Sequence, residues 1–179
     1  MTPSFSREQQ RRVSTALSEP ALIRLITEID DNGPVPPRST GRIFPDLAPH
    51  RIRHAIERAH ALGLIHTRVG GGLGLTESGV LLAEVYDVTA RWARRHAYPA
   101  ANGDFTGRIR HTFALLSEPQ VHHALTDAEP SSRRAGAVGT PLPDSEAVEP
   151  GLAGPRRLLI QWLRANPQAA GFAAGELAA

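Results

Sequence analysis

LAPHRIRHAIERAHALGLI, residues 47–65, is bounded at both ends by residues that start and stop helices. Pro49 sits where a first helical turn tolerates proline, and Gly63 sits where a helix end favours glycine. Between them lies a helix of about four turns at 3.6 residues per turn. At about 100° per residue, Ile52, Ala55, Ile56, Ala59 and Leu62 fall on one side, and His50, Arg51, Arg53, His54, Glu57 and Arg58 fall on the other. One face packs and the other is basic. A charged helix face is ordinarily only a solvated one, so its neighbours in the chain decide what it means.

Those neighbours form an ordered set. Upstream, Asp31-Asn32-Gly33 ends a helix, and Pro36-Pro37 opens a short one over Arg38 to Phe44 that Pro45-Asp46 closes. Downstream, Leu64 to Val69 and Leu73 to Thr76 read as two short strands around Gly70-Gly71-Gly72, because glycine supplies the positive φ that tight hairpins need. Thr76 then caps a long helix to about Ala97. Short helix, turn, basic helix, hairpin, helix is the order of a winged helix-turn-helix: a mainly α fold with a small β-hairpin wing.

Charge follows the same segment. From Arg38 to Arg68 there are six arginines against Asp46 and Glu57, about +4 with neutral histidines, whereas the whole chain is +2. The remainder is therefore net negative, and positive charge is concentrated where a groove-reading helix would lie. Arginine makes bidentate contacts with guanine in the major groove, and the N-terminal residues of a recognition helix lie nearest the base edges.

The run at 47–65, with LTESG at 75–79 and ARWARRH at 90–96, resembles the HxlR-type winged helix-turn-helix regulators of bacteria over roughly residues 10–97. MarR- and ArsR-type regulators share the architecture more distantly. The resemblance implies a homodimer that binds double-stranded DNA. It implies groove contacts from His50, Arg51, Arg53 and His54, and backbone contacts from Arg58 on the helix and Arg68 on the wing. Arg38, Ser39 and Thr40 match the start of the supporting helix across the phosphates. Some members of that group sense oxidants through a cysteine, which this chain lacks.

The 179 residues hold one domain of usual size or two small ones, and 41% hydrophobic content suffices for a core. No signal pattern or apolar run of ~20 residues is present, so a cytoplasmic protein off the membrane is expected. Every basic side chain but histidine is arginine, and the absence of cysteine excludes disulfides and thiolate metal sites.

At the N-terminus, Ser6 and Gln9 form a capping-box signal, and Ser18-Glu19-Pro20 opens a second helix with Leu22, Ile23, Leu25, Ile26 and Ile29 as core. In the helix after the wing, Leu81, Val85, Val88 and Trp92 lie beside Leu82, Tyr86 and Ala93. Two apolar stripes exceed what a small winged helix needs. Leu81, Val85, Val88 and Trp92 are therefore assigned, together with the N-terminal helix, to a dimer interface, the alternative being that Tyr86 and Trp92 pack on the C-terminal region.

The expected organisation is a DNA-binding domain with its dimerisation helices over 1–98, a linker over 99–107, and a helical region over 108–179 with a mobile loop over 129–155. Arg110 to Asp127 aligns with Arg11 to Glu28, placing Arg110, Leu116 and Ser117-Glu118-Pro119 on Arg11, Leu17 and Ser18-Glu19-Pro20. Leu152-Ala153 and Arg156-Arg157-Leu158 echo Leu47-Ala48 and Arg51-Ile52. Either this is a degenerate, wingless second copy of the unit, or a frequent helix opening has recurred by chance; the sequence leaves both open. A second copy would cap the first or build a pocket for a small-molecule effector between the two.

Other chemistries are weakly signalled. His50 and His54 with His122-His123 lack a ligand pair at zinc-like spacing. Residues 69–74 look like a methyltransferase nucleotide loop but lack the buried strand before it and the sheet after it. No nucleophile elbow exists. The expectation is a non-enzymatic, cofactor-free, sequence-specific transcriptional regulator acting as a homodimer on a palindromic operator. The alternative is a winged-helix protein-interaction or effector-sensing module that binds DNA weakly.

Overall fold

The computed structural model describes residues 7–99, 103–117 and 149–169. In chain order these form α1 (Arg7–Leu17), α2 (Pro20–Asn32), a 3-10 turn (Pro37–Ser39), α3 (Thr40–Ile43), α4 (Pro49–Ala61), β1 (Ile65–Thr67), β2 (Leu73–Leu75), α5 (Glu77–Arg95), α6 (Phe105–Ser117) and α7 (Glu149–Ala165). The protein is mainly helical, with one small antiparallel sheet in which Ile65, His66 and Thr67 face Leu75, Gly74 and Leu73. Ser6, His122-His123, most of the expected loop at 129–155 and the last ten residues lie outside the described residues.

Local chemistry sets the helix ends. Pro20 and Pro49 occupy first turns, where a missing amide leaves no hydrogen bond unmade. Gly33 stops α2 at φ 84°, its amide donating to the Ile29 carbonyl at 3.0 Å. Gly63, at φ 68°, lets the Leu64 amide reach Ala59 O at 2.8 Å while its own amide reaches His60 O at 2.9 Å, a Schellman ending for α4. Ser18 does not cap α2; its hydroxyl donates back to Thr15 O, and Glu19 stands at the cap position without a side-chain bond to the helix amides.

α2 is the hub of the core. Ala21, Leu22, Ile23, Leu25, Ile26 and Ile29 are all buried, each larger side chain contributing about 1.5–3 kcal/mol of transfer free energy. α5 crosses beside it and brings in Tyr86, whose hydroxyl donates to the Leu17 carbonyl at the end of α1 at 2.6 Å and whose ring lies 5.8 Å from that of Phe113. Burial, with the Glu19 charge adding to it, pushes that phenol well above its usual pKa, so it remains a donor.

The C-terminal helices are part of the same core, which runs without a break from Val13 through Tyr86 to Ile109, Phe113, Leu159 and Trp162. α6 begins inside the segment read as a linker: Asp104 accepts from the Gly107 amide at 2.6 Å and starts the helix at Phe105. α7 likewise begins six residues before Pro155, inside the segment read as loop. Leu152 packs on Trp92, and Trp162 Nε1 donates to Ser78 O at 2.9 Å, so α7 runs antiparallel along α5. Gly151 is needed there: a Cβ on it would sit 2.6 Å from Trp92 Nε1. Tertiary packing overrides the proline and glycine that favour a loop.

Leu152-Ala153 lies inside α7, whereas Leu47-Ala48 precedes α4, so that part of the internal echo is not one of local structure. Among the described residues after Pro99 there are only helices.

Candidate nucleic-acid interface

α4 displays the two faces its spacing predicts. Ile52, Ala55, Ala59 and Leu62 are buried and Ile56 is half-buried, while His50, Arg51, Arg53, His54 and Glu57 are exposed. The first turn carries no acidic residue. Four polar side chains that can donate hydrogen bonds therefore stand together on the first two turns of one helix, at the positive end of its dipole, which favours anions. None of the four has a hydrogen-bond or ion-pair partner among the described residues, so each is free to meet a ligand.

Arg38 is exposed on the preceding 3-10 turn, and Ser39 is half-buried beside it. Thr40 has a different task from the one expected of it. Its hydroxyl donates to Pro37 O at 3.0 Å and its carbonyl accepts from the Phe44 amide at 2.8 Å, so it holds the turn instead of offering its proton to a phosphate. Phe44 is buried, with the Arg24 guanidinium 5.7 Å from its ring centroid; Arg24 also pairs with Asp46. This fixes the chain leading into α4.

Arg58 is a correction to the expected backbone contacts. It lies on the same helix but at the edge of its apolar sector, and its guanidinium donates to the Glu19 carboxylate at 3.2 Å, with the two side chains only 12% and 24% exposed. It ties α4 to the start of α2. Sequence reasoning read Glu19 only as part of a helix opening, because the pair spans 39 residues and no local pattern signals it.

The hairpin carries Arg68 on its flank. The Arg68 amide donates to Gly72 O at 2.7 Å and the Gly71 amide to Arg68 O at 2.9 Å, a turn that Gly70 and Gly71 allow with φ of 102° and 89°. The Arg68 stem lies across Gly74, where a Cβ would meet its Cδ at 3.0 Å. Val69 at the tip is fully exposed. Val35 joins the sheet by a two-way bridge to Leu73, with N···O distances of 3.0 and 2.8 Å, so the hairpin is anchored to the chain between α2 and α3. The glycines of 70–74 thus serve an antiparallel turn.

LTESG proves to be a lock. Thr76 Oγ1 donates to Gly63 O at 2.6 Å and accepts from the Gly79 amide at 3.2 Å, while the Thr76 amide donates to Leu64 O at 2.9 Å. A Cβ at Gly79 would lie 2.1 Å from Leu64 O, so only glycine permits the start of α5 to sit on the exit of α4. Arg42, exposed on α3, was counted in the charge of this segment but given no role by the sequence.

The expected dimer residues divide. Val85 and Trp92 are 2% and 5% exposed, covered from within the chain; Trp92 packs on Leu152 and stacks on His96 with centroids 4.6 Å apart. Neither leaves more than a sliver of surface for a second copy. Leu81 and Val88 are half-buried and keep an outward edge. The excess apolar surface of α5 is taken up by α6 and α7.

Among the described residues no helix is long and apolar enough to cross a membrane, and no three of His, Asp and Glu are grouped to hold a metal ion. Comparisons with protein-family models, with curated proteins and with solved structures find no match.

Proposed function

We propose that residues 7–95 are a winged helix-turn-helix that binds double-stranded DNA, and that the chain is a cytoplasmic bacterial transcriptional regulator of the kind the HxlR resemblance suggests. The observation that carries this is the set of four unpartnered side chains, His50, Arg51, Arg53 and His54, on the first two turns of a helix whose opposite face is buried. The order of α2, the Val35 bridge, α3, α4 and the β1–β2 hairpin supports it, as does Arg68 beside the hairpin turn. In this reading α4 enters the major groove, with Arg51 and Arg53 as base readers, and Arg38 and Arg68 meet the flanking phosphates.

Binding sites selected from random DNA provide the test. Affinity should fall by about 0.9 log unit per log unit of salt for each phosphate contact. Arg53→Ala should relax base preference at a cost of ~1–3 kcal/mol, and Arg68→Ala should weaken all sequences alike. Absence of salt-sensitive binding would sink the proposal and favour a protein-interaction or effector-sensing module.

A homodimer on a palindrome, with half-sites about one helical turn apart, belongs to the proposal through a narrower seam than the sequence suggested. The outward stripe of α5 carries Val80, Leu81, Glu84, Asp87, Val88, Arg91 and Arg94. Antiparallel pairing of two such stripes would set Glu84 and Asp87 of one copy against Arg91 and Arg94 of the other. Leu81→Asp should shift sedimentation to the monomer; an unchanged profile places the seam elsewhere.

A further inference from the structure

The groove between α1 and α6 has a volume of about 430 Å³ and is lined by Arg11, Ser14, Thr15 and Ser18 from one helix and Arg110, Phe113, Ala114 and Ser117 from the other. These are equivalent positions in the internal alignment: Arg110 matches Arg11, Phe113 matches Ser14, Ala114 matches Thr15 and Ser117 matches Ser18, all at one constant offset along the chain. The two helices thus meet through corresponding faces, with an arginine and a serine in the same places on each.

The polar groups are not all satisfied. Ser14 is 3% exposed, and its hydroxyl makes no hydrogen bond among the described residues. Its oxygen is not shut off from the groove, so the hydroxyl is open to donate to an oxygen arriving there. The Arg110 guanidinium also has no hydrogen-bond or ion-pair partner among the described residues. Arg11 and Arg12 share Glu8, whose carboxyl they hold below its usual range, so that trio keeps one net positive charge and Arg110 adds another. No acidic side chain lines the groove.

The remaining hydroxyls have used their protons. Thr15 donates to Arg11 O at 2.9 Å, Ser18 to Thr15 O at 2.9 Å and Ser117 to Phe113 O at 2.8 Å, which leaves oxygen lone pairs as acceptors along the walls. We infer that the α1–α6 groove binds a small polyhydroxylated anion of the sugar-phosphate kind. The phosphate meets Arg110, Arg11 and the Ser14 hydroxyl, and the ligand's own hydroxyls donate to Thr15, Ser18 and Ser117. The volume lies within the range of small-molecule sites.

Glucose 6-phosphate, titrated calorimetrically into the full chain, is the probe, with glucose and inorganic phosphate as partial probes. Saturable binding is expected in the order glucose 6-phosphate, inorganic phosphate, glucose. Arg110→Ala should weaken glucose 6-phosphate by roughly tenfold or more, and Ser14→Ala by about threefold to tenfold, as expected for charged and neutral hydrogen bonds. Both variants should keep the wild-type unfolding midpoint within a degree or two, since Arg110 is exposed without a hydrogen-bond or ion-pair partner among the described residues and Ser14→Ala removes only an unpartnered hydroxyl. No saturation by ~10 mM, or unchanged affinity in Arg110→Ala, would overturn the inference. So would an Arg110→Ala variant that binds the sugar phosphate normally but loses salt dependence toward DNA, which would make Arg110 a backbone contact.

Discussion

The Arg58–Glu19 pair offers the sharpest separation of scaffold from interface. At 3.2 Å the gross Coulomb attraction is about 5 kcal/mol for an effective dielectric constant of ~20. Desolvation of side chains only 12% and 24% exposed removes most of it, so the net coupling should be ~1–2 kcal/mol. Glu19→Gln should cost more than Arg58→Met, because it leaves the more buried charge without its carboxylate, whereas a lone Glu19 can rehydrate. A double-mutant cycle in urea, with Glu19→Gln, Arg58→Met and both together, measures the coupling. The same variants titrated with DNA at several salt concentrations supply the second readout. Arg58→Met should leave the salt slope at the wild-type value. A coupling below ~0.3 kcal/mol, or a slope reduced as much as by Arg68→Ala, would refute the reasoning and return Arg58 to the phosphate-contacting set.

Three further outcomes follow from single sites. Gly79→Ala places a Cβ 2.1 Å from the Leu64 carbonyl oxygen, and backbone must move; a loss of about 3 kcal/mol in urea unfolding is expected. Thr89 is fully buried with its hydroxyl unpartnered among the described residues, so Thr89→Val should stabilise by about 1 kcal/mol, read as a higher melting temperature. Burial, with Asp31, Asp87 and Glu84 adding repulsion, raises the Asp30 pKa, so the folded state prefers this carboxyl protonated. Asp30 therefore destabilises at neutral pH, and that loss disappears as pH falls through its folded pKa. Asp30→Asn should gain a few tenths of a kcal/mol at pH 7 and low salt, and nothing at a pH well below the carboxylate range, where both forms are neutral.

What could be read in the chain before the structure was whatever local rules decide. Pro49 and Gly63 bound α4, Gly33 stops α2, and the triple glycine turns the hairpin, because each acts through its own φ or its missing amide. The buried face of α4 followed from a 100° rotation per residue. Arg58 escaped that rule because it sits at the edge of the apolar sector and its partner is fixed by how α2 crosses α4. For α5 the period showed that two stripes must be covered; whether by a second copy or by the chain itself depended on where α6 and α7 return. The exposed set on α4 was legible, while the removal of Thr40, Arg58, Val85 and Trp92 from the expected contacts was not, since each is occupied by a group the sequence does not place.

The lock at Thr76 has a consequence for how the hairpin can change. Leu64 and Thr76 are joined by a backbone hydrogen bond of 2.9 Å, and Thr76 also grips Gly63, so the eleven residues of strand and tip form an excursion whose two feet are clipped together. Lengthening it moves neither α4 nor α5, and the entropic cost rises by only about 0.6 kcal/mol for each doubling of a flexible loop. Gly70-Gly71 is thus a natural port, where a reporter peptide or a longer tip can be grafted while the basic helix beside it stays in place.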